Sequence, residues 1–81
     1  MRVLYFAWLR ERIGVPAEDI ETAAETIEDL VLELSNRTPR YKAAFSDLSA
    51  VRCALDQNLV SFDTPLGHAR EVAFFPPMTG G

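Results

Sequence analysis

The sequence predicts an α+β roll, a sheet of four or five strands covered by one main helix. Residues 26–36 give the clearest helical periodicity, with capping signals at its start. Short apolar runs bounded by turn residues lie around that segment, at 3–8, 51–55, 59–62 and 71–75. The length of 81 residues, 48% of them apolar, suits a single core. One amphipathic helix has one stripe to bury, and a sheet offers one face for it, so two layers follow.

Taken in order, Val3-Leu4-Tyr5-Phe6-Ala7-Trp8 is apolar on both faces and reads as a central strand. Leu9 and Ile13 are four apart and predict one or two helical turns, closed by Gly14 as a C-cap and by Pro16. Residues 18–23 read as a short acidic edge strand around Ile20, its charges guarding the edge. Thr26 is the N-cap of the main helix, and Asp29 three residues on completes a variant of the capping box. Ile27, Leu30, Val31 and Leu34 share one face, and Pro39 ends the helix near Asn36-Arg37. Residues 40–48 predict a further helical turn with Tyr41, Ala44, Phe45 and Leu48 facing inwards. Residues 51–55 and 59–62 form a hairpin about Asp56-Gln57-Asn58. After a loop at Asp63-Thr64-Pro65 and Gly67, Glu71 to Phe75 is the last strand, stopped by Pro76-Pro77, which cannot donate to a ladder.

Charge narrows the partners. The net charge is −4, and seven acids from Glu18 to Glu33 (Glu18, Asp19, Glu21, Glu25, Glu28, Asp29, Glu33) have no Lys or Arg among them. That argues against nucleic acid, whose phosphates need a basic surface. It suits a solvated acidic face or a basic partner. Cys53 is the single cysteine, so no internal disulfide forms, as expected of a reducing compartment. No signal peptide and no membrane-length apolar run is visible, and a cytoplasmic protein is the expectation.

The terminus draws the chemistry. Two units are expected: a domain over 1–75 and an extended tail over 76–81, Pro-Pro-Met-Thr-Gly-Gly. Six extended residues reach about 20 Å. The prolines stiffen the base, and Gly80-Gly81 leave the end without side chains, able to enter a partner's cleft. The terminal carboxylate of Gly81 is ionised at neutral pH and is a poor acyl donor, so acyl chemistry there needs prior activation, as in an acyl-adenylate.

These residues carry a resemblance. Residues 57–81, above all Glu71-Val72-Ala73-Phe74-Phe75-Pro76-Pro77-Met78-Thr79-Gly80-Gly81, resemble the small subunits of molybdopterin synthase, sulfur carriers of the ubiquitin-like ThiS/MoaD type. Val3-Leu4-Tyr5-Phe6-Ala7 and Leu9-Arg10-Glu11 resemble the start of that family, and the likeness is diffuse between 15 and 50. Met78 replaces the more usual Val, Asp56 the usual Asn, and His68-Ala69-Arg70 the usual acidic, Gly-containing turn. The resemblance implies a β-grasp roll with a mixed sheet. It implies that Gly81 is adenylated by a ubiquitin-activating-type, MoeB-type enzyme that uses ATP, and is then converted to a thiocarboxylate. It implies that the tail enters a MoaE-type large catalytic subunit in a heterotetramer and donates sulfur to cyclic pyranopterin monophosphate. The chain itself is then a donor, not catalytic alone, with no bound cofactor and no metal. A carrier for another thiolated product such as thiamine, or a protein modifier conjugated through Gly81, are the alternatives.

Strands apolar on both faces exceed what one helix covers. Part of the second face is therefore expected to be an exposed patch for a partner, unless residues 40–48 cover it. Phe75 and Leu59 are the first candidates, then Phe6, with Arg10 as a rim contact and Pro76, Pro77, Met78 and Thr79 in the tail. Cys53, mid-strand in an apolar run, reads as a core residue, and His68 as a solvated loop residue.

Overall fold

The computed structural model describes residues 1–77. The chain forms β1 (Arg2–Tyr5), α1 (Ala7–Ile13), β2 (Ala17–Asp19), α2 (Ile27–Ser35), α3 (Pro39–Ala44), a 3-10 turn (Leu48–Ala50), β3 (Arg52–Leu55), β4 (Asn58–Val60) and β5 (Glu71–Phe75). The five strands make one mixed sheet in the order β2-β1-β5-β3-β4. β1 and β5 run parallel at the centre, and every other pair is antiparallel.

Local chemistry sets most boundaries. Thr26 Oγ1 accepts from the Asp29 N–H at 3.1 Å, so the Thr26 half of the capping box is formed, and Glu28 and Asp29 occupy the first turn. Gly14 closes α1 in the left-handed conformation, φ 102°, its N–H donating to the Arg10 carbonyl. Asp56 and Gln57 both have positive φ, 48° and 71°, the pattern of a two-residue hairpin whose twist matches its strands. Asp56 also fastens the hairpin to β5: its Oδ1 accepts from the Arg70 and Glu71 N–H groups, each at 3.0 Å.

Several boundaries differ from expectation. The first strand ends at Tyr5, not at residue 8. Ala7 has φ 53°, a left-handed conformation that breaks the strand, and helix starts there, so Trp8 lies on α1. β2 covers 17–19 instead of 18–23, because its ladder reaches only Arg2–Leu4; Ile20, just beyond, is buried. β4 begins at Asn58, since the turn takes only Asp56 and Gln57. It ends at Val60, because Ser61 starts a new turn by bonding to Asp63 and accepting from the Thr64 N–H. Residues 40–48 divide into α3 and the start of the 3-10 turn.

The core lies between the sheet and all three helices. Val3, Tyr5, Val72, Phe74 and Cys53 point into it from the strands, and Leu9, Ile13, Ile27, Leu30, Leu34, Ala44 and Phe45 come from the helical side. Phe74 is the centre of the aromatic packing, stacked near Tyr5 and edge-on to Phe45 at 5.0 Å between centroids. The segment 39–50 packs with α2 on this same side and does not cover the second face.

Candidate functional site

β5 is the middle strand, held by β1 on one side and β3 on the other. The chain that follows it therefore leaves from the most constrained part of the molecule. The parallel ladder runs from Arg2 opposite Glu71 to Tyr5 opposite Phe74, and the Phe6 N–H extends it by donating to the Phe74 carbonyl at 3.1 Å. Val72 and Phe74 point into the core, so Ala73 and Phe75 point to the open side.

On that open side the register lines up one apolar row across all five strands. Ala17 is opposite Leu4, Leu4 opposite Ala73, Ala73 opposite Ala54, and Ala54 opposite Leu59. Leu59 is 71% exposed. One step towards the tail, Phe75 lies opposite Arg52. One step the other way, Arg2 stands between Asp19 and Glu71 and pairs with Asp19 at 3.6 Å. The face is thus apolar in its middle, with Arg52 beside Phe75 at the tail end and Arg2, Asp19 and Glu71 at the remote end.

The root of the tail lies against a groove of about 480 Å³ lined by Phe6, Ala7, Phe75, Pro76 and Pro77. Every lining residue is apolar. Strand alternation keeps Tyr5 buried and turns Phe6, the next residue, out to 47% exposure beside the groove, and Ala7 then takes the left-handed conformation. A non-glycine residue in that conformation costs about 1–2 kcal/mol. Of the residues expected to meet a partner, the structure brings together Phe6, Phe75, Pro76 and Pro77, and sets Leu59 at the far end of the apolar row. Arg10 is exposed on α1 and is not part of the groove lining. Met78, Thr79, Gly80 and Gly81 lie outside the described residues.

The other singled-out residues are structural or solvated. Cys53 is buried, its thiol donates to the Val60 carbonyl at 3.3 Å, and burial pushes its pKa up to about 11, so it is no thiolate at neutral pH. His68 is exposed. Among the described residues, no three His, Cys, Asp or Glu side chains are grouped to hold a metal ion, and no helix is long and apolar enough to cross a membrane.

Sequence reading missed one cluster. Glu18 Oε2 accepts from the hydroxyls of Tyr5 at 2.8 Å and Tyr41 at 2.6 Å. Burial, and then the bond to the Glu18 carboxylate, push both phenol pKa values upwards. The three side chains tie the edge strand β2 to α3. Nothing in the local sequence links positions 5, 18 and 41, so only the packing reveals it.

Comparison with known proteins adds the family. Residues 3–81 match the ThiS family. The chain belongs to that family. It is 41% identical, over 100% of its length and 99% of the relative's, to the molybdopterin synthase sulfur carrier subunit of Escherichia coli K12. Among solved structures it is similar to a putative molybdopterin converting factor, subunit 1, from Pyrococcus furiosus, with 32% identity, TM-score 0.73 and 94% of each chain covered. SAMP1 from Haloferax volcanii shares the fold, with TM-score 0.77 and 22% identity over 100% of this chain and 98% of that one. The mixed five-stranded sheet, the helices packed on one side of it and the likeness to these solved structures agree with a ubiquitin-like β-grasp fold.

Proposed function

We propose that this chain is a sulfur carrier of molybdenum cofactor biosynthesis, acting in the cytoplasm as the small, sulfur-donating subunit of a molybdopterin synthase. The observation that carries the reading is the exit of the chain from the central strand β5 through Pro76-Pro77, beside an apolar groove, towards Gly80-Gly81. Relatives named as the sulfur carrier subunit of molybdopterin synthase match over the whole chain, which favours that product over thiamine. The modifier reading has only a likeness of fold behind it.

In this reading the Gly81 carboxylate is activated by a MoeB-type adenylating partner that consumes ATP, and is then converted to a thiocarboxylate. A MoaE-type catalytic subunit docks on the open face at Phe75, Leu59 and Phe6, and admits Pro76, Pro77, Met78, Thr79 and Gly80 into its cleft. Surface contacts position the reactive end, so part of the entropic cost of the encounter is met by docking rather than by the chemical step. The carrier holds no cofactor of its own beyond the thiocarboxylate. Two sulfurs are needed per dithiolene, so carriers exchange or work in pairs.

Deleting Gly81 is expected to abolish sulfur transfer in a reconstituted synthase assay while leaving the thermal unfolding midpoint unchanged. Undiminished molybdopterin formation by the truncated chain rules out the mechanism. Intact mass after incubation with the activating enzyme, ATP and a sulfur source should show one oxygen replaced by sulfur in the full chain and not in the truncated one.

A further inference from the structure

The helical side of the molecule has a surface that the tail-centred reading leaves unused. Between α2 and the segment from α3 to the 3-10 turn runs a groove of about 220 Å³, with Val31, Phe45, Leu48 and Leu32 in its lining and Glu28 and Asp29 at its rim. Val31 and Phe45 belong to the core and Leu48 packs against it, so the floor is fixed by the fold. Leu32 is 64% exposed, while α2 buries Ile27, Leu30, Val31 and Leu34. A lone exposed leucine is ordinary, but this one continues a concave apolar floor.

The charge at the rim selects an occupant. Glu18 accepts from two tyrosines and Asp19 pairs with Arg2, and among the described residues Arg2–Asp19 is the one ion pair. Glu28 and Asp29 have no cation within ion-pair distance. Both suit the first turn of a helix, which accounts for their sign. The helix dipole does not account for a leucine left in water beside them. A negative rim over an apolar slot attracts Lys and Arg and rejects acidic segments.

We propose that the groove between α2 and α3 is a second docking surface, and that it takes an amphipathic segment of a partner protein whose apolar side chains pack on Leu32 and Leu48 while flanking Lys or Arg residues face Glu28 and Asp29. The groove lies on the helical side of the sheet. The apolar row from Ala17 to Leu59 lies on the opposite side, so one carrier can hold two partners at once. This inference does not depend on sulfur chemistry at Gly81.

The test uses the full chain, labelled with nitrogen-15, titrated with a synthetic amphipathic Leu/Lys peptide and with its Leu/Glu counterpart. The expected result is saturable shifts of amides in 28–35 and 45–48 with the Leu/Lys peptide, weakened by added salt, and none with the Leu/Glu peptide. Leu32→Ser, and separately the pair Glu28→Lys with Asp29→Lys, should each weaken binding by about tenfold or more. All are exposed positions, and amide dispersion verifies that the variants fold. Leu59→Ser should bind as the unaltered chain does. Shifts centred on Leu4, Leu59 and Phe75, equal binding of the acidic peptide, or unchanged binding by the groove variants overturns the proposal.

Discussion

The two faces of the sheet are made from alternate residues of the same strands, yet they are built to different ends. On the helical side Val3, Tyr5, Val72, Phe74 and Cys53 are at most 1% exposed. One residue along each strand, the open side presents Ala17, Leu4, Ala73, Ala54 and Leu59 with no helix over them. An antiparallel sheet with one wet face ordinarily alternates apolar with polar residues. Here the alternation fails in the middle row and returns at its margin, where Arg2, Asp19 and Glu71 lie. The covered face accounts for the stability of the roll. On the open face Ala73 is closed in by its neighbours, Leu4, Ala17 and Ala54 are half-buried, and Leu59 stands 71% exposed at the edge.

Substitutions should separate the two. Phe74→Ala empties the centre of the covered face and should cost about 3–5 kcal/mol in denaturant unfolding. A cost below about 1 kcal/mol would place the core elsewhere. Alkaline titration probes the same face. Tyr5 and Cys53 have raised folded-state pKa values, so the folded protein keeps protons that the unfolded chain releases. Their contribution is complete below the ordinary values of 9.0 for the thiol and 10.0 for the phenol. The thiol's share is lost between 9.0 and about 11, and that of Tyr5 from 10.0 upwards. Unfolding midpoints should fall across this range, and Tyr5→Phe should flatten the fall above 10.0. An unaltered slope in that variant would exclude the Tyr5 phenol as its source.

Asp56→Ala removes an acceptor for two backbone N–H groups at the start of β5, and should cost about 1–3 kcal/mol. Asp56→Asn, which keeps one oxygen, should cost less; equal losses would show that the carboxylate itself is what β5 requires. The smallest stability effect belongs to the open face. Leu59→Ala should shift unfolding by no more than about 0.5 kcal/mol while weakening binding of the large catalytic subunit in calorimetry. A large stability loss with unchanged affinity would erase the distinction between the faces.

Much of the roll was legible because its signals are local. Thr26 with Asp29, the stripe Ile27, Leu30, Val31 and Leu34, the glycine at 14 and the prolines at 76 and 77 each act within a few residues of themselves. The end of the first strand was not legible, because Val3 to Trp8 is uniformly apolar and nothing in it marks the left-handed turn at Ala7. Apolarity on both faces of the strands, with the family resemblance, nominates Phe75, Leu59 and Phe6 as docking residues and Arg10 as a polar rim contact. Phe6, Phe75, Pro76 and Pro77 do meet around one groove, whereas Arg10 sits apart on α1.

By itself the sequence determined which segments are helix and strand, the size and number of the cores, and the chemistry available at a side-chain-free glycine end. These depend on propensity, periodicity and capping, which a short stretch of chain expresses wherever it is placed. Only the tertiary structure decided that β5 lies between β1 and β3, that Leu4, Ala73, Ala54 and Leu59 fall in one row, and that Tyr5, Glu18 and Tyr41 share a carboxylate. All three depend on contacts between segments distant in sequence, and a shift of one residue in pairing would turn Leu4, Ala73, Ala54 and Leu59 to the other face.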